Sequence, residues 1–497
     1  MSVVRVQNYF SSKSAFTEQA VIEQAFIEQA VKNTSGKIVN VNLIQSDKKR
    51  LIVGLGATGK SCMRHLSRLG LPFSVLDTRS KPEGIADIAC EFPDVEIHLG
   101  RDNAALIDIA NEIYISPGIA VDDALFANAT ANGAVLSGDI DLFAREVNAP
   151  VIAITGSNAK STVTSLVGDM ASQAGLDAAV GGNLGVPALE LLSPQRELYV
   201  LELSSFQLER CSELKPRIAC LLNLTADHMD RHGNMLSYHQ AKQRVFRGAE
   251  IIVYNRDDGL TTPLQTLGAK LISFGLAAPD LGQYGVVSID GRRFLCRGFD
   301  PLIAVADLPL PGSHNILNVL AALAIGEAAG FSIEAMKAAI TAFKGLPHRC
   351  ESVAHIQGVH FINDSKATNV GAALAALRGL SDGTTGTITL IAGGETKGAD
   401  FSELLAELEK RNSRLLVIGV GANAIAAAAG ESLSITYAES LELAVATAYQ
   451  LSQPGDLVLL SPACASFDMF DSFEHRGEVF CSAVSELASR FESEGLQ

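Results

Sequence analysis

From Arg50 onward, short β-rich runs alternate with helical stretches, and this alternation recurs in three series. The first series holds RLIVGLG, FSVLDT and EIYIS. The second runs from APVIAITGS through LYVLELSS, IACLLNL, EIIVYN and KLISFG, and the third holds HFINDS, TITLIAGG, RLLVIGVG, SITYA and DLVLLSPA. Strands separated by helices of this length are built into parallel sheets from βαβ units. The chain is 497 residues long, more than one hydrophobic core serves. The pattern therefore predicts three consecutive α/β domains, 46–138, 139–345 and 346–497, with breaks near Gly138 and Gly345. Residues 1–45 differ: FTEQAVIEQAFIEQAV repeats EQA every five residues, a period that stays on no helix face. That segment reads as a weak helix or a disordered arm.

Composition narrows the function. Lys and Arg total 39 against 55 Asp and Glu, a net charge of −16, which argues against a nucleic-acid footprint and a polybasic membrane surface. Anionic substrates would then need local lysines, backbone N–H groups or metal ions. No apolar run approaches the about 18 residues of a membrane span, and Glu18, Glu23 and Glu28 stand where a signal peptide needs an apolar stretch. Eight scattered cysteines without a CxxC give no zinc or thioredoxin signature and fit a reduced cytoplasmic enzyme.

Two Gly-rich loops compete for a nucleotide. Gly54-Leu55-Gly56-Ala57-Thr58-Gly59 follows a strand and opens a helix, and Asp77 ends the next strand, as in a dinucleotide-binding fingerprint. Extended through Lys60 and Ser61, the same segment satisfies GxxxxGK[ST], so NAD and NTP readings both stand. Thr155-Gly156-Ser157-Asn158-Ala159-Lys160-Ser161-Thr162 fails that strict pattern but has the better context. A strand feeds it, a helix leaves it, and LYVLELSS brings Glu202 to a neighbouring strand end. Backbone N–H groups there can cradle phosphates, Lys160 can reach the terminal ones, and Ser161 with Glu202 can ligate Mg2+. Asp227-His228-Met229-Asp230-Arg231-His232 adds imidazole and carboxylates at another strand end. A dehydrogenase would leave this second loop and DHMDRH unexplained, and a P-loop switch without ligase activity remains a rival.

Taken together, TGSNAKST, LELSSFQLE, NLTADHMDRH, PGSHNILN, INDSKATN, AGGETKGADF and LSPACASFDMFDSFEHRG resemble the Mur ligases of bacterial cell-wall synthesis. The resemblance is collinear over roughly residues 46 to 490 and departs at Ala159, commonly glycine, and at Glu395-Thr396, commonly Asp-Gly. It implies a Rossmann-like UDP-binding first domain, a P-loop ATPase-like centre and a Rossmann-like third domain. The third-domain motifs are similar to those of the branch that adds D-glutamate to UDP-N-acetylmuramoyl-L-alanine with ATP, through an acyl phosphate. By the same resemblance, Ala57, Thr58, Asp77, Thr78, Arg79, Ser116 and Gly118 hold the UDP moiety, and Asn183 and Gln207 the sugar and substrate arm. Lys60 then matches the P-loop pattern by coincidence. Gly156 to Thr162, Asn315, Asn318, Arg349 and Asp364 take ATP, while Ser161 and Glu202 hold one Mg2+ and His228 a second. Lys242, in AKQRVF, matches a lysine the family carries as a carbamate, an anionic oxygen ligand where an ammonium would repel the ion. Lys160, His228 and Lys242 are thus the expected catalytic residues. Lys366, Thr368, Lys397, Ser466, Phe467 and Phe473 match the D-glutamate positions. A monomer acting on small molecules, with no nucleic acid or membrane partner, is expected.

Overall fold

The computed structural model describes residues 48–493 except 104, 121–123, 311, 382–383 and 430–432. The arm read from the EQA repeat lies outside the described residues. Three sheets follow one another along the chain. The first has five parallel strands in the spatial order Ile97–Leu99, Ser74–Asp77, Arg50–Val53, Glu112–Ile115, Val135–Ser137. Strand order reverses between Arg50–Val53 and Glu112–Ile115, so a crevice opens where Gly54–Gly59 and Ser116–Gly118 leave the sheet. A Cβ at Gly59 would overlap the Gly54 carbonyl oxygen, so only glycine lets the helix Ala57–Arg68 start this close to the strand.

The middle sheet runs Asp300–Ala304, Arg292–Arg297, Tyr284–Ile289, Lys270–Phe274, Ile251–Asn255, Ile218–Leu221, Val151–Thr155, Leu198–Glu202, Ala178–Gly182. From Lys270–Phe274 to Ala178–Gly182 it is parallel, as the alternation predicts. Its far end is not. Tyr284–Ile289, Arg292–Arg297 and Asp300–Ala304 form an antiparallel meander, with Asp290 and Gly291 at φ 50 and 77 in the two-residue turn. Helices Lys160–Gln173 and Ser313–Ala329 cover one face through Val163, Val167, Leu320 and Leu323. On the opposite face, Met63, Leu66 and Phe143 share one apolar cluster with Leu189, Tyr199 and Leu201, so the first two sheets have a common core.

The third sheet runs Glu351–Ile356, Val359–Asn363, Leu457–Leu460, Ile388–Gly393, Arg414–Ile418, Ser434–Tyr437, parallel except for its first strand. Among the described residues no helix is long and apolar enough to cross a membrane. All eight cysteines are free.

Candidate active site

Strand Val151–Thr155 ends in the second Gly-rich loop, which turns into helix Lys160–Gln173. Neighbouring segments pin the loop. Ser157 Oγ donates to the Thr225 carbonyl (2.9 Å) and accepts from its N–H (3.0 Å), while Asn158 N–H donates to Asn223 Oδ1 (2.8 Å). Lys160 Nζ folds back onto the Ser157 carbonyl at 2.8 Å. Glu202, at the tip of the adjacent strand, accepts from Ser161 Oγ (2.6 Å) and Asn183 Nδ2 (2.7 Å). Burial alone would raise its pKa; the Lys160 charge and these two hydrogen bonds outweigh burial and hold it below the usual range.

A second buried lysine reaches the same loop. Lys242, on helix Met235–Gln243, is only 1% exposed and donates to the Gly156 carbonyl at 2.7 Å and to Thr155 Oγ1 at 3.3 Å. Burial, reinforced by the Lys160 charge, pushes its ammonium well below the ordinary range. His228 sits at φ 55 with Nε2 3.6 Å from Asp227 Oδ2, and burial lowers its pKa against the pull of Asp227. The structure thus gathers Lys160, Ser161, Glu202, Lys242 and His228 around one loop, as the sequence order alone could not guarantee.

Between the middle and third sheets lies a cavity of about 290 Å3. Asn158, Ala159, Thr162, Asn315, Asn318, Arg349 and Asp364 line it. Asn315 and Asn318 are one turn apart on Ser313–Ala329, and Asn318 Nδ2 donates to Asn315 Oδ1 at 3.3 Å. Arg349, from the third domain's edge, donates to Ser161 Oγ at 2.7 Å. Burial lifts the Asp364 carboxyl to about 6, against the opposing Ser461 and Cys350 hydrogen bonds. Sequence reasoning missed the apolar walls, Phe274, Leu310 and Leu346, and also His314, which burial lowers to about 4 and so keeps neutral. The only signal for His314 was its place in PGSHNILN.

The residues expected at the UDP moiety gather at the C-terminal edge of the first sheet. Ala57 and Thr58 open helix Ala57–Arg68, and Ser116 Oγ donates to the Gly54 carbonyl at 3.2 Å, with Gly118 exposed beside it. Asp77 is buried, and its carboxylate already accepts from Leu55 N–H (2.8 Å) and from Arg79 Nε and Nη2 (2.9 and 2.8 Å). It therefore braces the Gly-rich loop, with Thr78 half-buried and Arg79 exposed beside it. Gln207 is likewise committed: Oε1 accepts from Ser204 N–H (3.1 Å) and Nε2 donates to Asp139 (3.0 Å). Arg210 and Arg231 both donate to the Ile119 carbonyl, tying the first domain's loop to the middle one.

The third-domain candidates sit on loops leaving the same end of neighbouring parallel strands, Val359–Asn363, Leu457–Leu460 and Ile388–Gly393. Lys366 Nζ lies 3.5 Å from the centre of the Phe473 ring, and burial, then the Arg349 charge, lowers it to about 8. The Thr368 N–H donates to the Lys366 carbonyl at 2.8 Å. Lys397 adopts φ 50 in the loop whose Glu395 pairs with Ala465, next to the buried Ser466 and the exposed Phe467.

Comparison with known proteins bears on about 90% of the chain. The profile of the Mur ligase MurD-like N-terminal domain matches residues 48–138, that of the Mur ligase middle domain 154–326, and that of the Mur ligase glutamate ligase domain 348–464. A UDP-N-acetylmuramoylalanine--D-glutamate ligase of Pseudomonas aeruginosa is 50% identical over 448 residues, 90% of this chain and 100% of that protein. The protein of the same name in Legionella pneumophila is 46% identical over 441 residues, covering 88% and 99%. Among solved structures, MurF of Acinetobacter baumannii aligns with a TM-score of 0.57 at 17% identity, over 88% of this chain and 90% of that one. A MurF ligase of Thermotoga maritima in complex with ADP gives 0.58 at 16%, over 90% and 98%; at such identities the likeness is one of fold. With three consecutive domain matches and half of its aligned residues shared with a full-length relative, the chain belongs to the Mur ligase family.

Proposed function

We propose that this chain joins D-glutamate to UDP-N-acetylmuramoyl-L-alanine at the expense of ATP, making a peptidoglycan precursor. The observation that carries the reading is the junction at Ser161, which donates to Glu202 of the middle domain and accepts from Arg349 of the third. One hydroxyl so links the phosphate loop to the domain expected to bring the amine. The curated relatives, named for this reaction and matched along their full length, support the choice of substrates. The division into 46–138 for UDP, 139–345 for ATP and 346–497 for the amino acid follows from it.

A carboxylate is a poor electrophile towards an amine. Transfer of the γ-phosphoryl group to the substrate carboxylate gives an acyl phosphate and ADP. The D-glutamate amine then attacks the acyl carbon, phosphate leaves with the C–O electron pair, and the amine gives up a proton. The first step brings two anions together, so the chain must supply positive charge and exclude water. Lys160 is suited to the transferring phosphoryl group, and the backbone N–H groups of Gly156 to Thr162 to the other phosphates. Thr162, Asn315 and Asn318 line the cavity where the rest of the nucleotide fits, with Arg349 and Asp364 approaching from the third domain. Lys366, Thr368, Lys397, Ser466, Phe467 and Phe473 are assigned to D-glutamate, whose two carboxylates call for the two lysines. Ala57, Thr58, Asp77, Thr78, Arg79, Ser116 and Gly118 are assigned to UDP. Asn183 and Gln207 are assigned to the substrate arm, acting through Glu202 and Asp139 in the geometry seen.

Among the described residues no three His, Cys, Asp or Glu side chains converge on a metal position. That suits Mg2+, which leans on one or two carboxylates, substrate phosphates and water rather than on a protein cage. Ser161 with Glu202, and His228 with a carbamylated Lys242, would hold two such ions. When bound they supply charge that offsets the phosphates and the substrate carboxylate. The buried Lys242, facing the Lys160 charge, favours an uncharged amine, which can add to CO2 and release a proton to become a carbamate. Free cysteines and the need for ATP fit a reducing, cytoplasmic setting.

Phosphate release with UDP-N-acetylmuramoyl-L-alanine, ATP, Mg2+ and each amino acid in turn tests the reading. D-glutamate alone should support turnover; equal or faster turnover with L-glutamate, L-alanine or a diamino acid would defeat it. Lys242→Ala should lose most activity and regain part with acetate or formate. A fully active variant would make Lys242 a structural lysine.

A further inference from the structure

We propose that Arg476, which touches no substrate in this scheme, is the positioning residue that sets the shape of the amino-acid pocket. It lies on helix Phe473–Ser493 and, at 1% exposed, is among the largest fully buried side chains of the chain. Nε donates to Ser365 Oγ (3.0 Å), Nη2 to the Ser365 carbonyl (2.8 Å) and Nη1 to the Cys464 carbonyl (3.1 Å). Ser365 Oγ in turn donates to the Phe473 carbonyl at 2.8 Å. Every atom held in this way lies on a residue assigned to the pocket or within two positions of one. Ser365 precedes Lys366, Cys464 is two residues from Ser466, and Phe473 carries the ring beneath Lys366. The link extends one step further, because Ala465 exchanges both backbone hydrogen bonds with Glu395 at 3.0 Å, in the loop that presents Lys397. One guanidinium therefore ties the strand end that carries Lys366 to the loop of Cys464, which in turn pairs with the loop that carries Lys397.

Stability alone is a poor reason to bury this charge. Burial lowers Arg476 to about 10, and its hydrogen bonds go to carbonyls and a hydroxyl, with no carboxylate among them. An apolar side chain of similar volume often serves a core as well or better. What it cannot do is direct three hydrogen bonds in one plane at two separate loops, and lysine, a single point charge, cannot do so either. A substrate with carboxylates at both ends needs Lys366 and Lys397 at a fixed separation, and misplacement by about 1 Å can cost 10²-fold in rate. The inference rests on the assignment of D-glutamate to this pocket.

The test uses the full-length chain, Arg476→Met, Arg476→Lys and the milder Ser365→Ala, with kcat, thermal unfolding and separate KM values for D-glutamate, ATP and the UDP substrate. Arg476→Met should raise the KM for D-glutamate about tenfold or more while the other two stay within about twofold. Arg476→Lys should fall between, and Ser365→Ala should move the same constant in the same direction. A Met variant that raises all three constants alike, or none, defeats the proposal, as does a Lys variant indistinguishable from the unaltered chain. Should Arg476→Met not fold, Ser365→Ala decides by the same criterion. If the unaltered chain itself gives no turnover with D-glutamate, the functional reading fails instead.

Discussion

Ala159 is held at φ 64, ψ 0, in the left-handed region, where the resembling sequences commonly carry glycine. For an L residue that conformation costs roughly 1–2 kcal/mol, and only the surrounding phosphate loop makes it persist. Ala159→Gly should therefore raise stability by about 0.5–1 kcal/mol, after the entropy lost with glycine, and leave the KM for ATP unchanged. Denaturation midpoints and ATP kinetics check both halves. Lys366 offers a second test at this scale. Burial first, and the Arg349 charge next, lower it to about 8 from an ordinary 10.5. The unfolded chain thus binds this proton over a window, about 8 to 10.5, in which the folded chain has released it. The charged lysine costs stability below that window and the cost is relieved as pH rises through it. Binding runs the other way, since the charge that attracts a carboxylate disappears above about 8. Glutarate, which has both carboxylates and no amine to titrate, should inhibit less as pH rises through 8. Inhibition constants that stay flat from pH 7 to 9 would remove Lys366 from the pocket.

At the scale of elements, the proposed function gives the two Gly-rich loops the reverse of the roles that pattern alone would give them. The segment from Gly54 to Ser61 satisfies GxxxxGK[ST], yet Lys60 extends beside Gly84 on the flank of its helix. Lys160 sits in the loop that fails the pattern, beside Glu202 at the tip of the adjacent strand, whereas Asp77, at the strand tip beside the first loop, is already committed to Leu55 N–H and Arg79. What assigns the function is the neighbouring strand end, which a local pattern does not contain. Lys160→Ala should cut turnover about 10²-fold or more, because the charge acts on the transferring phosphoryl group. Lys60→Ala should alter at most the KM for the UDP substrate, and modestly; the reverse outcome would invert the domain assignment. The same reasoning marks what the sequence made legible. Runs such as VIAIT and LYVLE are apolar up to their last residue and buried throughout, as doubly covered parallel strands are, and could be read directly. The strand Ala178–Gly182 is alanine and glycine except for Val180 and carried no such signal. The meander after Phe274 was missed although Asp290-Gly291 is a hairpin turn signal. Arg476 and the cavity walls were out of reach because their meaning lies in contacts across long stretches of chain, 111 residues in the case of Ser365.

Across the whole molecule, a chain of net charge −16 concentrates Lys160, Lys242, Arg349 and Lys366 where its anionic substrates would meet. The joints between sheets differ in kind. The first two sheets share one apolar cluster, whereas the clusters of the third contain, among the described residues, only third-domain side chains. Beside the cavity between the middle and third sheets, polar contacts link the third domain to the middle one, Arg349 to Ser161 and Asn369 to two partners at once. Asn369 Nδ2 donates to Asn158 Oδ1 (3.1 Å) and Asp227 Oδ2 (3.0 Å), while its Oδ1 accepts from Ala372 N–H (2.8 Å) and caps helix Val370–Ser381. A polar, two-pronged joint of this sort ties third-domain docking to the shape of the phosphate loop. Asn369→Leu should raise the KM for ATP and for D-glutamate about tenfold and leave that for the UDP substrate within about twofold. Loss of the helix cap alone would cost about 1 kcal/mol and could mimic part of this. Asn369→Asp separates the two effects, since it keeps the capping oxygen but replaces both donors with a carboxylate facing Asp227. If the joint matters, the Asp variant should be at least as impaired as the Leu variant despite normal thermal stability. Normal ATP kinetics in Asn369→Asp would assign the residue to helix capping alone.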